Sequence, residues 1–348
     1  QREMSVPIGA DEETTTDRPV IPSQEPIAVR PPVARQSRRR VRRALSILGP
    51  GFITGASDDD PSGIGTYASA GAQFGYAPLW LALVTFPLMT AVQFICAKVG
   101  LVSGMGLAAV LRRHHPRWML YSAVAMVLIA NTVNAGADIG AIAAGVNLLV
   151  PIPPAAMIMP ISAAILALQL WGSYQLIARV FKWLALALVG YIGAGFLTHP
   201  DVHAVLLGTF VPTAPFNRDF LMMLVAVLGT TISPYLFFWQ ASQEVEDEIS
   251  IGRIRLSQRI GATNAELKIA GWDVTIGMVF SNIVTYFIIF TTAATLFTSG
   301  KRVATATDAA QALRPLAGSA AEFLLAIGLI GTGFLAVPIL TGSGAYAL

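Results

Sequence analysis

Three consecutive carboxylates stand inside an otherwise apolar stretch, Gly55-Ala56-Ser57-Asp58-Asp59-Asp60-Pro61-Ser62-Gly63-Ile64-Gly65. An acid at the centre of a membrane helix costs about 2.5–3.5 kcal/mol by insertion scales, so it marks a functional site by default. Pro61 removes a backbone donor and pushes Asp60 away from helical geometry. Gly63 and Gly65 loosen the turn after the proline. A helix unwound at this point leaves free carbonyls beside a carboxylate, which is the donor set of a hard cation. Prolines 87, 160 and 338 also interrupt apolar runs, but no acid accompanies them, and they read as kinks.

A second break lies at Gly229-Thr230-Thr231-Ile232-Ser233-Pro234-Tyr235, where small residues and hydroxyls again precede a proline. One further acid, Asp138, sits within another apolar run, with Asn131 and Asn134 on the same helix.

The elements that must position these groups are membrane helices. Of 348 residues, 54% are hydrophobic and only 12% charged, against about 25% charged in a typical soluble domain; the mean hydropathy is +0.63. From Pro61 to Ala97 there is no Asp, Glu, Lys or Arg. A soluble enzyme is excluded. The single cysteine, Cys96, forbids an intrachain disulfide and a CxxC site. No Ser/His or HExxH arrangement with helical spacing supports an intramembrane enzyme, and basic residues that flank apolar spans do not make a nucleic-acid surface.

Stretches long enough to cross a bilayer fall at roughly 46–73, 79–100, 119–149, 155–172, 180–198, 219–243, 273–298 and 321–348. With the N-terminus cytoplasmic, nineteen of the 23 Lys and Arg fall on the inner side, as the positive-inside rule requires. Residues 1–44, with scattered prolines and a terminal arginine run, read as a disordered cytoplasmic tail, and 45–348 as the transmembrane domain. The segment 304–316 has helical spacing and is expected on the membrane surface. Asp273 is expected to cap the start of the seventh span. Glu244, Glu246, Asp247 and Glu248 read as a solvated helix end, and most tryptophans as an interfacial belt. The chain begins with Gln1 and stops inside an apolar run, so helices are expected to be missing after residue 348. Two broken helices five spans apart are the mark of an inverted repeat that brings both breaks to the bilayer midplane.

The first-span Asp-Pro-Ser-Gly, the sixth-span Gly-Thr-Thr-Ile-Ser-Pro-Tyr, the third-span Ala137-Asp138-Ile139-Gly140 and the eighth-span Leu340-Thr341-Gly342-Ser343-Gly344 together resemble the NRAMP family of divalent metal transporters. The resemblance covers about 44–348. It implies an all-α polytopic membrane protein of the LeuT-like inverted-repeat fold, with about eight of eleven spans present. Carried across residue by residue, it places the metal site on Asp60, Ser57, Gly63, Thr230 and Ser233, with Ser57 and Thr230 contributing backbone carbonyls. The family's asparagine, methionine and histidine are here Gly63, Ser233 and Tyr235. Asp138 matches the first acid of the family's proton relay, whereas the second falls on Ala141 and a later histidine on Gln240. Asp138 and Tyr235 remain candidates for a proton or structural relay.

These departures have a chemical direction. Without a thioether the site is oxygen-only and suits magnesium or manganese. Smaller side chains leave room for the waters that magnesium keeps. The resemblance is closest to the NRAMP-related magnesium transporters. The expected function is movement of Mg2+, with Mn2+ the second candidate, across the plasma membrane by alternating access. The membrane potential drives it, with weak or no proton coupling. The alternatives are a proton-coupled Mn2+/Fe2+ transporter and an amino-acid or amine carrier of the same fold. No catalysis, resident cofactor or obligate protein partner is expected; the partners are the transported ion and the bilayer.

Overall fold

The computed structural model describes residues 49–171, 192, 193, 195, 200–212, 215, 217–297, 300 and 306–348, excepting the side chains of 306–322, 324 and 325. The expected tail, the fifth span apart from residues 192, 193 and 195, and the basic residues Arg179, Lys182, Lys301 and Arg302 lie outside the described residues. Among those described, the regular structure is entirely helical.

The first span is two helices, α1 (Pro50–Asp58) and α2 (Pro61–Phe74). There follow α3 (Trp80–Ser103), α4 (Leu107–His114), α5 (Arg117–Leu149), α6 (Pro154–Trp171) and the short α7 (Val202–Phe210). The sixth span is likewise double, α8 (Arg218–Thr231) and α9 (Pro234–Ser250). After the single turn α10 (Leu256–Arg259) come α11 (Asn264–Thr292), which continues as a π-turn over Ala293–Phe297, and α12 (Ala306–Ala347).

Among the described residues, six stretches are long and apolar enough to cross a membrane, counting α8 and α9 as one and α11 with its π-turn as another. The remaining two of the eight expected spans are the fifth, nearly all of it outside the described residues, and the first, whose pieces of 9 and 14 residues are each too short alone. The 304–316 segment is helical from Ala306 and runs straight into the eighth span as one 42-residue helix, rather than forming a separate element. The seventh span starts earlier than its apolar run because Thr263 and Glu266 form a capping box at its N-terminus.

Both breaks have the same cause and the same backbone. Asp60 and Ser233, each before a proline, are extended (φ −67°, ψ 161° and φ −83°, ψ 123°), and Asp59 and Ile232 before them have ψ of 56° and 66°. Steric conflict with the following proline ring excludes the helical region at those positions. Each proline then starts the next half-helix, where its missing N–H costs nothing.

The packing carries the inverted repeat. The first span lies on the seventh and the sixth on the second, pairs that exchange under a five-span shift, while the third and eighth spans, α5 and α12, form the most extensive contact. Ile64, Tyr67 and Ala68 of α2 share a core with Val284 and Ile288 of α11. Tyr235, Leu236 and Trp239 of α9 share another with Leu335, Ile339 and Leu340 of α12.

Between α1 and α11 the approach is backbone to backbone. A Cβ on Gly55 would lie 2.2 Å from the Gly277 carbonyl oxygen, and one on Gly277 would lie 2.2 Å from that of Gly51. Small residues permit this approach between membrane helices. The outer surface carries exposed Leu88, Ile95, Met126, Ile129 and Val133 along helices α3 and α5, a face suited to hydrocarbon. Trp118 and Trp171, at helix ends, are also exposed, in keeping with an interfacial belt, as is Trp272, more than two turns into α11.

Candidate metal site

The three acids of the first break go to different neighbours. Asp60 caps α2: its Oδ1 accepts from the Gly63 backbone N–H at 2.5 Å and from the Ser62 hydroxyl at 2.9 Å. Its carboxylate therefore closes the N-terminus of α2. Asp58 and Asp59 turn to α11. Asp58 Oδ2 accepts from the Ser281 hydroxyl at 2.7 Å, and Asp59 Oδ1 from the Thr285 hydroxyl at 3.2 Å and from Ser281 at 3.4 Å. All three side chains are buried. With Asp58 and Asp59 turned to α11 and Asp60 to α2, the three do not converge on one point.

The second break approaches from the other side. Thr230, in the last turn of α8, has its hydroxyl beside Gly63; a Cβ on Gly63 would lie 3.0 Å from Thr230 Oγ1 and 2.9 Å from Asp60 Oδ1. Ser233 donates its hydroxyl to the Thr230 carbonyl at 2.6 Å and lies 3.2 Å from the Gly229 carbonyl. Tyr235 crosses between the breaks and donates to the Ser57 carbonyl at 3.0 Å. The Ser57 hydroxyl points back to the Thr54 carbonyl at 2.9 Å, so this residue faces Tyr235 with its carbonyl alone. The structure thus brings Asp60, Gly63, Thr230 and Ser233 into one cluster, tied to Ser57 through Tyr235.

Asp138 on α5 joins the same region. Its Oδ1 accepts from the Ser62 backbone N–H at 3.1 Å, while its Oδ2 is buried without a hydrogen-bond partner. Asn131 is not its neighbour in hydrogen bonding; that amide donates to the Leu340 carbonyl on α12 at 2.8 Å. Beside the cluster a cavity of about 690 Å3 runs between α2, α5 and α8. Its floor includes Pro61 and Ser62, the latter bonded to both Asp60 and Asp138. Met222, Gln73 and Asp219 line its walls farther along.

The other end of the first span is anchored by groups whose roles sequence reasoning misplaced. Asp273 does not cap its own helix. It lies nine residues into α11 and accepts from Gly49 N at 3.1 Å and Gly51 N at 2.7 Å, closing the N-terminus of α1. The acidic end of α9 is not uniformly solvated: Glu246 and Asp247 are exposed, but Glu244 and Glu248 are buried. Glu244 accepts from Gln240 Nε2 at 2.9 Å, and Gln240 Oε1 lies 2.6 Å from the Thr54 hydroxyl of α1. Arg253, in the turn beyond α9, pairs with Glu248 and, at 2.8 Å, with Glu266. Partial burial works against its charge, but Glu266 and Glu248 hold the guanidinium above its usual pKa.

Ser62, Ser281 and Thr285 were not singled out from sequence. Ser281 and Thr285 share an i, i+4 spacing on an otherwise apolar span, and that spacing is a readable signal for one polar face. Among the described residues, no three His, Cys, Asp or Glu side chains form a group able to hold a metal. The groups gathered about Asp60 are its own carboxylate with neighbouring backbone and hydroxyl oxygens. An oxygen-only set of this kind suits reversible binding of a hard ion.

Two proline-broken helices meeting at a buried carboxylate, five spans apart in the chain, are the mark of the LeuT-like inverted-repeat fold. The profile described as Natural resistance-associated macrophage protein-like (Nramp) matches residues 51–348, and the chain belongs to that family. It is 30% identical over 311 residues to the divalent metal cation transporter MntH of Agrobacterium fabrum, covering 84% of this chain and 63% of that protein. It is 28% identical over 322 residues to MntH of Klebsiella pneumoniae subsp. pneumoniae, covering 90% and 74%. A crystal structure of a mutant Eremococcus coleocola manganese transporter superposes with a TM-score of 0.72 at 17% identity, over 90% of this chain and 67% of that one. The fold expected from the sequence is thereby established.

Proposed function

We propose that the protein carries a hydrated divalent cation, Mg2+ with Mn2+ the second candidate, across the plasma membrane by alternating access. The observation that carries the reading is Asp60: a buried carboxylate at the meeting point of two helix breaks, surrounded by oxygen donors only. Gly63 and Ser233, standing where the family has an amide and a thioether, remove the soft ligand and leave an oxygen-only donor set, although Asp60 and Thr230 close in on Gly63 and the room for water expected there is not open. The names of the relatives, divalent metal cation transporter and manganese transporter, support the broader class of cargo. In this reading the cavity between α2, α5 and α8 is the outer vestibule and the N-terminus is cytoplasmic, as the distribution of Lys and Arg supports. The metal is cargo; no cofactor takes part, and the protein performs carriage rather than catalysis.

An inside-negative potential suffices as a driving force. Each charge crossing 100 mV gains about 2.3 kcal/mol, so a dication gains about 4.6 kcal/mol, or roughly three decades of concentration ratio. Uptake into proteoliposomes tests the reading. Asp60→Ala is expected to abolish Mg2+ and Mn2+ transport, and unchanged transport in that variant would show the site is elsewhere. Competition among Mg2+, Mn2+, Cd2+ and Ca2+ reports the ligand chemistry; a strong preference for Cd2+ contradicts an oxygen-only site.

A second reading, proton-coupled Mn2+ transport, is favoured by one observation. Asp138 is buried beside the first break with one carboxylate oxygen lacking a partner. A pH dye inside the liposomes separates the two: silence during metal entry supports the potential-driven carrier, and acidification proportional to metal entry supports coupling.

A further inference from the structure

The two carbonyls that the family resemblance makes metal ligands are both already engaged. The Ser57 carbonyl accepts from the Tyr235 phenol at 3.0 Å, and the Thr230 carbonyl from the Ser233 hydroxyl at 2.6 Å. The donors are the two residues that stand where the family has histidine and methionine. A thioether has no hydrogen to donate, so Ser233 adds an interaction with its own helix end that methionine lacks. Both side chains are buried, and the Tyr235 bond links two breaks separated by 178 residues of sequence.

We propose that Tyr235 and Ser233 are specificity-determining positioning residues, whose hydroxyls commit the Ser57 and Thr230 carbonyls so that a divalent ion at Asp60 reaches those oxygens through its own water molecules. The inference rests on the transport reading above and deepens it. A carbonyl oxygen has two lone pairs, and here a hydroxyl hydrogen occupies one at each oxygen. A bare cation approaching the same oxygen has two routes. It either displaces the hydroxyl, leaving a buried donor unpaired, or binds the second lone pair against the partial positive charge of that hydrogen. A water held by the ion meets the second lone pair with a hydrogen and incurs neither cost. An ion that sheds water reluctantly, as Mg2+ does, loses nothing by this arrangement. An ion that gains from direct carbonyl ligation, as Mn2+ does, is denied it.

A purely structural role for the hydroxyls is distinguishable. Helix C-terminal carbonyls need donors anywhere, and if these hydroxyls only met that need, removing one would lower stability without changing the order of metals. The test measures Mn2+ and Mg2+ dissociation constants by calorimetry on purified protein, and KM for both ions in proteoliposomes. The proteins compared are the native one, Tyr235→Phe, Ser233→Ala, and Ser233→Thr as the variant that keeps a hydroxyl. The Mn2+/Mg2+ preference is expected to rise roughly five-fold for each hydroxyl removed, the worth of one neutral hydrogen bond. Ser233→Thr is expected to match the native ratio. Should Tyr235→Phe fail to fold, Ser233→Ala carries the same comparison. Native protein that binds and carries divalent ions while both deletions leave the ratio unmoved, or lower it, overturns this inference alone. Native protein that neither binds nor carries Mg2+ or Mn2+ overturns the transport reading and this inference with it.

Discussion

Restoring the family's asparagine at Gly63 offers a demanding check on the site geometry, because the structure says that position is filled from both sides. The added Cβ would lie 2.9 Å from Asp60 Oδ1 and 3.0 Å from Thr230 Oγ1. Ordinary contact begins at about 3.5 Å, so each neighbour must retreat by about half an ångström. Asp60 is pinned by the Gly63 N–H and the Ser62 hydroxyl, and hydrogen bonds to a charged acceptor are worth about 1.5–3 kcal/mol each. Overpacking by itself costs typically about 1–3 kcal/mol. Gly63→Asn alone is therefore expected to weaken Mn2+ binding about 10- to 100-fold, equivalent to about 1.4–2.8 kcal/mol, although it adds an oxygen ligand. Thr230→Ala removes the second obstacle while leaving the backbone carbonyl in place. The double variant should recover most of the loss, giving a coupling of at least about 1 kcal/mol between two residues that touch. Calorimetric titration with Mn2+, alongside melting curves to confirm folding, reads all four corners of the cycle. If Gly63→Asn binds Mn2+ as tightly as the native protein, or if the double variant is no better than the single one, the crowding described for this site is wrong.

Two further outcomes test the anchoring of the first span. Asp273→Ala removes the acceptor for Gly49 and Gly51 N–H at the start of α1, and should lower stability by about 1 kcal/mol, as loss of a helix cap does. Protection of the α1 amides in hydrogen exchange should fall more than that of α5; an equal fall would argue against a local capping role. Gly55→Ala places a methyl 2.2 Å from a backbone oxygen of α11, which no rotamer change relieves. The two helices must part, at a cost of at least about 1–3 kcal/mol, and transport should drop with Asp60 intact. Native transport and melting temperature in this variant would show that the two helices are not in backbone contact.

Much of this arrangement was legible in the chain because it follows from local chemistry. Pro61 and Pro234 announce the breaks, the run of apolar residues announces the spans, and Asp60 is conspicuous because so few acids lie within them. What was not legible depends on which residue a side chain meets across the fold. Asp58, Asp59 and Asp60 are indistinguishable by type, and their separation into an α11-facing pair and a site-facing acid emerges only from the rotation of α1 against Ser281 and Thr285. Asp273 reads as a cap for its own span because caps are usually local, yet its partners lie more than 200 positions earlier. Glu244 reads as solvated from its charged neighbours, but it faces inward because α9 packs against α1 and α3 on that side. The hydrogen bonds of Tyr235 and Ser233 were hidden for the same reason: substitution at a motif shows which ligand has gone and not what the replacement does instead.

The glycine contact between α1 and α11 has a mechanical consequence. Where helices interlock through large side chains, separation requires those side chains to change rotamer, and resistance builds over several ångströms. Gly51, Gly55 and Gly277 present nothing to disengage. Their attraction is dispersion between backbones, and a gap of about 0.5–1 Å already forfeits a quarter to a half of it. Such a joint is firm at contact and slack a short distance away. The half-helix that carries Ser57 and Asp58 is thus held against α11 at this point by a contact that yields within a fraction of an ångström, and the hydrogen bonds of Asp273 and Asp58 keep it in register.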